Sequence, residues 1–473
     1  MLETLKVFLD WTGYFFIAYL IGYSTFLFIS LVVGSLELYK LRRRELMKNI
    51  LPQDYYVPIT IIVPAYNEEV TVVENVKSLL QLEYRSYEII VVDDGSTDNT
   101  SKKLIEAFDL RPVHCPIRRQ LPCQPEEFVY ESRLQKVPLT LIRKRNGGKA
   151  DALNMGINAS TFPYFICIDA DSFLQYDSLR RIAQPILEND NVVAVGGMVR
   201  ISNAVELENG RLKKYRMPRN ILACMQVLEY ARSFLASRIL FDKFNGSLII
   251  SGAFGLFKKE TVIAAGGYSN ETIGEDMELV VKLHEYCTMN HINYSIRYAS
   301  DAICWTQVPE NLRDLCRQRK RWHLGLFQSM FAHRKMFSNP KFGAVSFISY
   351  LYFLIYELFS PFIEIFGVIT MLLAWATGLL HVPFMIMFFL IYAGFSSILS
   401  LSAFFSRLYT TDMKISFIDG VKAVLLCFFE LTCLRFILAW VRSTAFIGYR
   451  KKKTQWGRIE RKKSSCIKKR VWL

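Results

Sequence analysis

Residues 88–98 read EIIVVDDGSTD, an apolar run that ends in two adjacent carboxylates and a glycine. The run Ile89–Val92 is apolar and β-branched, which is typical of a strand buried on both faces. Asp93 and Asp94 follow directly, and two carboxylates at a strand end repel each other unless donors or a cation meet them. Gly95 lets the chain turn and lets a ligand approach the backbone. The segment predicts a strand that ends at a ligand site, with a polar turn capping a helix as the alternative.

Two further apolar runs, 59–64 and 164–168, also end in polar or aromatic residues, and 69–80 has apolar residues at helical spacing. Strands that alternate with helices predict an α/β fold with a mostly parallel sheet that is covered on both faces. Ligands of such sheets bind at the carboxyl ends of the strands. The candidate residues at these ends are Ala65, Tyr66 and Glu68, then Asp93 and Asp94, then Asp169 and Asp171.

Asp169-Ala170-Asp171 predicts a metal site. In an extended segment the two carboxylates point to the same side. Two hard oxygen ligands beside a diphosphate suit Mg²⁺ or Mn²⁺. Two aspartates separated by one residue often occur by chance. The position of this motif at the end of a predicted strand is therefore what favours a metal site. Lys149, in the glycine-rich segment 145–150, is a candidate for binding the diphosphate as a point charge; an ordinary loop lysine is the alternative.

Two later motifs complete the candidate site. Glu275 and Asp276 follow Gly274 at the start of a helical pattern, where a carboxylate is either a general base or only a cap for the helix. The segment Gln318–Trp322, QRKRW, lies on a basic helix. Trp322 offers an aromatic face on which a sugar ring can stack, and the planar guanidinium of Arg321 can donate two hydrogen bonds to a phosphate. A basic helix at a membrane edge is the alternative for this segment.

Hydrophobic segments flank this middle part. Residues 14–36 are long enough to cross a bilayer and are followed by five Lys/Arg between 40 and 48, which favours a retained anchor over a signal peptide. We predict an anchor at 1–50, a soluble domain at 55–335 with an inserted loop at 109–137, a membrane region at 342–448 and a basic tail at 449–473. The best later spans are 361–380 and 382–405, while 342–360 and 417–441 are ambiguous, so three or five crossings are expected.

The net charge is +15, and 52% of the residues are hydrophobic. The basic residues cluster beside the hydrophobic segments, with eleven Lys/Arg against one acid in 450–470. This placement indicates membrane topology or contact with anionic lipid and argues against nucleic acid. It also predicts that the soluble domain faces the cytosol. The ten cysteines show no zinc spacing and are expected to be reduced.

In this order the motifs resemble the membrane-embedded family 2 glycosyltransferases, the group of cellulose, chitin, hyaluronan and poly-N-acetylglucosamine synthases. The resemblance covers about residues 58–333 and rests on the DDG, DAD, GED and QRKRW motifs that begin at Asp93, Asp169, Gly274 and Gln318. It implies a GT-A-like nucleotide-sugar domain with transmembrane helices. The cellulose-synthase pattern has Thr where this chain has Gly274, and this difference concerns how the acceptor is placed.

The resemblance implies an inverting, processive hexosyltransferase that depends on Mg²⁺ or Mn²⁺ and builds a β-linked extracellular or capsular polysaccharide at the inner face of a bacterial plasma membrane. The donor would be a UDP-sugar, with N-acetylglucosamine first and glucose second. The implied donor-binding residues are Ala65, Tyr66, Glu68, Asp93, Asp94, Lys149 and Asp169. Asp171 with Asp169 would hold the metal, Asp276 beside Glu275 would be the base, and Gln318, Arg321 and Trp322 would hold the diphosphate and the acceptor.

The expected partners are the UDP-sugar, the growing glycan, the lipid bilayer and accessory or export proteins. Two alternatives keep the same motifs. One is a transferase that adds a single sugar to a lipid carrier. The other is a membrane scaffold that binds a nucleotide without turnover.

Overall fold

The computed structural model describes residues 2–48, 55–132, 135–208, 210–235, 237–410, 413, 415–430 and 434–447. The predicted basic tail at 449–473 lies outside them. The strands are β1 (Ile59–Ala65), β2 (Tyr87–Asp93), β3 (Leu110–Pro112), β4 (Glu126–Ser132), β5 (Leu139–Lys144), β6 (Tyr164–Cys167), β7 (Phe173–Leu174), β8 (Val192–Ile201), β9 (Glu206–Glu208), β10 (Arg211–Lys214), β11 (Gly255–Lys258) and β12 (Ser295–Thr306).

The helices of the soluble part are α2 (Val72–Leu79), α3 (Thr100–Phe108), α4 (Lys149–Ala159), α5 (Ser178–Glu188), α6 (Ile221–Leu235), α7 (Ser237–Asp242), α8 (Lys259–Ala264), α9 (Glu275–Met289) and α10 (Leu312–Ala332). The apolar flanks contribute α1 (Leu2–Lys48), α11 (Ser360–Ala376), α12 (Val382–Thr410), α13 (Phe417–Phe429) and α14 (Arg435–Ser443). Short 3₁₀ turns lie at Arg334–Met336, Pro340–Phe342 and Thr444–Phe446, and π-helical turns at Val345–Tyr350 and Phe353–Leu358.

A ten-stranded sheet in the order β3-β4-β5-β2-β1-β6-β11-β8-β12-β7 forms the centre of the soluble part. The predicted parallel block is present, because β5, β2, β1 and β6 run parallel. Antiparallel strands extend it on both sides, through β4 against β5 and β11 against β6. The register places Ala65 of β1 beside Asp93 of β2, and Asp93 beside Arg143 of β5. The carboxyl ends of these three strands therefore meet at one edge of the sheet.

Both faces of the parallel block are buried, as the apolar runs predict. Along β1, Ile61 belongs to the hydrophobic cluster on one face and Ile62 to the cluster on the other. Along β2, Val91 and Val92 divide in the same way. This alternation follows from the two-residue period of a strand, and it leaves only the strand ends free for polar residues.

The prediction of an inserted loop at 109–137 was wrong in part. The segment contains β3 and β4, which pair antiparallel and add to the sheet beside β5. Its four prolines hid the strands, but Pro112 lies on the edge strand β3, where its missing N–H breaks no ladder. Between the strands, Gln120 and Leu121 donate from their backbone N–H groups to Asn158 of α4. The segment therefore also covers α4.

Within the residues that the structure describes, two helices are long and apolar enough to cross a membrane, Glu3–Arg43 within α1 and Met385–Tyr409 within α12. The expected span 361–380 is the 17-residue α11. It meets the same test only together with Val345–Leu358, which joins it at a 46° bend. If this bent pair is counted as one span, the described residues contain three candidate spans. Three is the smaller of the two predicted numbers of crossings. The ambiguous segment 417–441 contains α13 and the start of α14, and residues 431–433 between them lie outside the described residues. The number of crossings and the cytosolic orientation stay predictions.

Candidate active site

A cavity of about 2100 Å³ opens at the carboxyl ends of the parallel strands and extends between α6, α9 and α10. All the predicted site residues except Asp93 line it: Ala65, Tyr66, Glu68, Asp94, Lys149, Asp169, Asp171, Glu275, Asp276, Gln318, Arg321 and Trp322. Residues that are far apart in the sequence thus meet at one site.

Asp93 faces the interior of the protein. It is 1% exposed, accepts a hydrogen bond from the Ser96 backbone N–H at 2.9 Å and another from the Ser101 hydroxyl on α3. Its carboxylate ties the end of β2 to the start of α3. The geometry therefore gives Asp93 a structural position behind the site, and the expectation that it contacts the nucleotide is not met.

Asp94 lines the cavity, but other groups of the protein occupy both of its carboxylate oxygens. Gly147 and Gly148 donate their backbone N–H groups to it at 3.0 and 2.7 Å, and the fully buried Lys144 ammonium forms an ion pair with it. Burial raises the pKa of Asp94, and Lys144 opposes this shift. Lys144 also pairs with Asp151 of α4. This network fixes the glycine-rich segment against the end of β2.

Lys149, the first residue of α4, is the central cation of the cavity. Its ammonium lies 2.7 Å from Asp169 and 3.2 Å from Glu275. Burial lowers the pKa of Lys149, but the carboxylates of Asp169, Glu275 and Asp276 outweigh burial and raise it. The lysine is therefore charged at neutral pH, as a group that binds a diphosphate must be.

Asp169 and Asp171 lie in a turn after β6, not in the extended segment that was expected. The Ser172 backbone N–H donates to the Asp169 carbonyl at 3.0 Å and closes this turn. Both carboxylates still line the cavity. Within the described residues, no three His, Cys, Asp or Glu side chains are grouped to hold a metal. Two carboxylates nevertheless fit Mg²⁺ or Mn²⁺, since such ions bind one or two carboxylates and complete their shell with substrate phosphates.

Glu275 and Asp276 form the first turn of α9, beside the loop that contains Gly252. Asp276 accepts from the Gly252 backbone N–H at 3.0 Å and from the Met277 backbone N–H at 2.8 Å. Glu275 is only 5% exposed. Burial raises the pKa of Glu275, Lys149 opposes the shift and Asp276 adds to it. The two carboxylates therefore differ: Glu275 is a buried partner of Lys149, and Asp276 is the more accessible.

Gly252 leaves room for this arrangement. A Cβ atom at this position would lie 3.2 Å from the Lys149 ammonium and 3.5 Å from an Asp276 carboxylate oxygen. Gly252 therefore keeps the space between the Lys149 ammonium and the Asp276 carboxylate free of a side chain.

α10 presents Gln318, Arg321 and Trp322 to the same cavity. Trp322 is 41% exposed, and the guanidinium of Arg319 lies 4.5 Å from its ring centroid. Arg319 is held in turn by Glu229 of α6 through two hydrogen bonds of 2.7 and 2.6 Å. An aromatic face supported in this way suits stacking against a sugar ring.

Three residues of the site were not identified from the sequence. Lys144 comes two residues after the mostly apolar run 139–142, much as Asp93 comes after the apolar run 89–92. A charged residue in this position was the sequence feature that could have identified Lys144. Glu229 lies in a largely apolar helix, and Gly325 lies inside the helical segment that continues after Trp322. An isolated glycine or carboxylate in such a place usually has a packing or binding reason.

Comparison with known families identifies the chain. Glycosyl transferase family group 2 matches residues 164–405, about half of the chain, and Glycosyl transferase family 2 matches residues 60–121. The chain belongs to the family 2 glycosyltransferases. It is a hexosyltransferase, and the resemblance inferred from the four motifs is confirmed.

This family 2 glycosyltransferase is similar to poly-beta-1,6-N-acetyl-D-glucosamine synthases. It is 30% identical over 332 residues to that of Staphylococcus aureus (strain COL), which covers 69% of this chain and 68% of the relative. It is 30% identical over 311 residues to that of Staphylococcus epidermidis, covering 65% and 64%.

Among solved structures, the mannosyltransferase PcManGT from Pyrobaculum calidifontis, in complex with GDP-Man and Mn²⁺, matches with a TM-score of 0.51 at 19% identity. The match covers 87% of this glycosyltransferase and 97% of the solved chain. This likeness supports the predicted GT-A-like fold.

Proposed function

We propose that the protein is an inverting, processive, metal-dependent glycosyltransferase that polymerises N-acetylglucosamine from UDP-N-acetylglucosamine at the inner face of the plasma membrane. One observation carries the proposal. Lys149, Asp276 and Trp322 line a single cavity, so a cation for the diphosphate, a base for the acceptor and an aromatic platform for the glycan are within reach of one another. The choice of sugar rests on the 30% identity to the staphylococcal synthases.

The donor end of the cavity is assigned to Tyr66, Lys149 and the turn Asp169–Asp171. The nucleotide would lie against the ends of β1 and β2, with its diphosphate near Lys149. Asp169 and Asp171 would hold the Mg²⁺ or Mn²⁺, which would neutralise charge on the diphosphate as it leaves. The Mn²⁺ in the PcManGT complex supports this assignment.

The acceptor end is assigned to Asp276 and the cavity face of α10. Asp276 would take the proton from the acceptor hydroxyl while that oxygen attacks the anomeric carbon from the side opposite to the diphosphate. The backbone N–H groups of Gly252 and Met277 hold its two oxygens in place. Lys149 and Arg321 would stabilise the negative charge that develops on the leaving UDP. Trp322 and Gln318 would hold the terminal sugar of the chain.

The extent of the cavity supports a processive enzyme. Beyond Trp322 it continues between the helices of the apolar flanks, where Tyr23 of α1, Tyr356 and Arg435 of α14 line it. A transferase that adds one sugar needs no such extension, whereas a growing chain must leave the acceptor position while it stays bound. We assign this part of the cavity to the nascent glycan.

The proposal is tested with the purified protein in nanodiscs, supplied with Mg²⁺ or Mn²⁺ and each common nucleotide sugar. Release of UDP from UDP-N-acetylglucosamine together with a high-molecular-weight product would support it. A lipid-linked monosaccharide as the only product would instead establish the single-addition reading. Nucleotide binding without release of UDP from any donor would establish the scaffold reading.

A further inference from the structure

α10 continues past the residues that line the acceptor end of the cavity. Gly325 and Gln328 follow Trp322 at intervals of three residues, so they are successive neighbours on the helix surface. Both contact the segment 272–274, which leads directly into α9. The helix that presents Trp322 thus also supports the start of the helix that presents Asp276. We name this contact the α9–α10 seam; it consists of Thr272, Ile273, Gly274, Gly325 and Gln328.

The two glycines of the seam lie closer together than side chains would allow. A Cβ atom on Gly274 would lie 2.8 Å from Gly325 Cα, and a Cβ atom on Gly325 would lie 2.8 Å from Gly274 Cα. Ordinary carbon contacts are about 3.5–4.0 Å, so a methyl group at either position would push the segments about 1 Å apart. Gly325 weakens its helix relative to alanine, and its φ angle is not positive, so its backbone conformation does not require glycine. The close approach of Gly274 explains why glycine occupies position 325.

Gln328 fixes the direction of the segment that leads to Asp276. Its side-chain carbonyl oxygen accepts from the Thr272 hydroxyl at 3.0 Å and from the Ile273 backbone N–H at 2.9 Å. The side chain is buried. Loss of the acceptor would leave a buried N–H group without a partner, which is costly. The contact between the two glycines therefore sets the distance between α10 and the segment 272–274, and the hydrogen bonds to Gln328 set the orientation of that segment.

We infer that the α9–α10 seam positions Asp276 relative to the acceptor-binding face of α10. The inference rests on the proposed function. The base must lie within hydrogen-bond reach of the acceptor hydroxyl, and that hydroxyl belongs to a sugar held by Gln318 and Trp322. Gly325 and Gln328 touch no reacting atom, so they are positioning residues. The seam also accounts for glycine at position 274, where the cellulose-synthase pattern has threonine.

The seam contains none of the residues assigned to binding the donor. Lys149 is on α4, and Asp169 and Asp171 are on the turn after β6; Arg321 of α10 is assigned to the negative charge that develops only during transfer. A change in the seam should therefore alter the rate of transfer and leave donor affinity nearly unchanged. A general loss of structure would alter both.

The test compares Gly325→Ala with Gly394→Ala. Gly394 also lies inside a helix, α12, but a Cβ atom there meets nothing within 4 Å. With UDP-N-acetylglucosamine, wild type and Gly394→Ala should release UDP at the same rate. Because a misplacement of about 1 Å costs up to roughly 100-fold, Gly325→Ala should lower kcat by about 10- to 100-fold. The KM for the donor should stay within about two-fold, and the melting temperature should fall only modestly, because the added methyl group overpacks a single contact.

A second pair of variants covers the case in which Gly325→Ala fails to fold. Gln328→Leu should lower kcat with the KM for the donor unchanged, and Gln328→Glu, which keeps an acceptor oxygen, should restore most of the rate. The inference is overturned if both Gly325→Ala and Gln328→Leu turn over like the control. It is also overturned if the donor affinity of both variants falls as far as their kcat. Wild-type protein that releases UDP from no donor would refute the proposed function, and the seam inference with it.

Discussion

Lys144 is the single residue on which the donor end of the cavity most depends. Its side chain is fully buried between the carboxylates of Asp94 and Asp151, which are also buried. Asp151 in turn accepts from the Gln124 backbone N–H in the inserted segment. One cation thus joins the end of β2, the start of α4 and the insert.

Replacement of Lys144 should therefore destabilise the whole domain. Lys144→Met leaves two buried carboxylates without their cation, and breaking a buried pair in this way costs about 3–5 kcal/mol. The measurement is thermal unfolding in detergent. The matched control is Lys103→Met, which removes a solvent-exposed pair with Glu69 and should change the melting temperature little, because exposed ion pairs contribute little to stability. Equal melting temperatures for the two variants would contradict the role given to Lys144.

Asp276 is the residue on which turnover should depend most. Asp276→Asn keeps the shape and one acceptor oxygen but removes the base, so kcat should fall by about 10²- to 10⁴-fold while the affinity for UDP is retained. Release of UDP and calorimetric binding of UDP are measured on the same preparation. Asp301→Asn, which changes an acid that pairs with Arg181 outside the cavity, serves as the control. Retained activity of Asp276→Asn would remove Asp276 as the base.

At the scale of elements, α9 and α10 are also joined by a contact beyond the seam. His333, which follows α10, contacts Glu278 and Glu285 of α9, and Glu278 also pairs with Lys282. Burial lowers the pKa of His333, but its hydrogen bonds to the two carboxylates outweigh burial and raise it. When protonated, the imidazolium links α9 and α10 through an ion pair with each of the two carboxylates.

This link should make stability depend on pH. A histidine whose pKa is raised on folding contributes stability that is fully present below its unfolded pKa, about 6.5, and is lost as pH rises through the folded value. Between pH 6 and 9 the melting temperature of wild type should fall more steeply than that of His333→Gln. His114→Gln, a change at an exposed histidine in the insert, should behave like wild type. Parallel curves for wild type and His333→Gln would exclude the link.

At the scale of the whole molecule, largely buried ion pairs lie around the cavity, one between α6 and the apolar flanks and one between two helices of the flanks. Arg232 of α6 pairs with Glu430, which follows α13, at 3.0 Å, and it also donates to Ser400 of α12 at 2.8 Å. Arg435 of α14 pairs with Glu364 of α11 at 2.8 Å. These four charged residues line the extension of the cavity. The ion pairs therefore hold its wall together and give it polar groups.

A charge exchange tests the first of these pairs. Arg232→Glu and Glu430→Arg each place like charges together in a buried site and should destabilise by at least about 3 kcal/mol. The double variant should recover part of this loss, with a coupling energy of about 0.5–3 kcal/mol, measured by unfolding in detergent. The same exchange at the exposed pair of Lys213 and Glu208 should show almost no coupling. Additive effects at Arg232 and Glu430 would contradict the pairing.

Much of the fold follows from the sequence because the signals are local. The strands β1, β2 and β6 follow from short continuous apolar runs, and the helix α2 follows from apolar residues at helical spacing; both patterns can be read within the segment itself. The strands of the insert were missed because the edge strand β3 and its neighbour β4 are mostly exposed, so burial imposes no apolar pattern on their sequences. Their pairing is decided by the neighbouring β5.

The residue types of the candidate site were also present in the sequence, since carboxylates after apolar strands and an aromatic residue in a basic helix are visible as motifs. Only the tertiary structure decided how each residue is used. In the structure, Asp93 points into the interior and binds α3, and Lys144, which was not identified from the sequence, pairs with Asp94. Gly274 contacts Gly325, although 50 residues of chain separate them. Such contacts depend on distances between elements, which no local pattern encodes. The sequence by itself determined which chemistry the chain carries; packing of the sheet, α9 and α10 determined which residues meet to perform it.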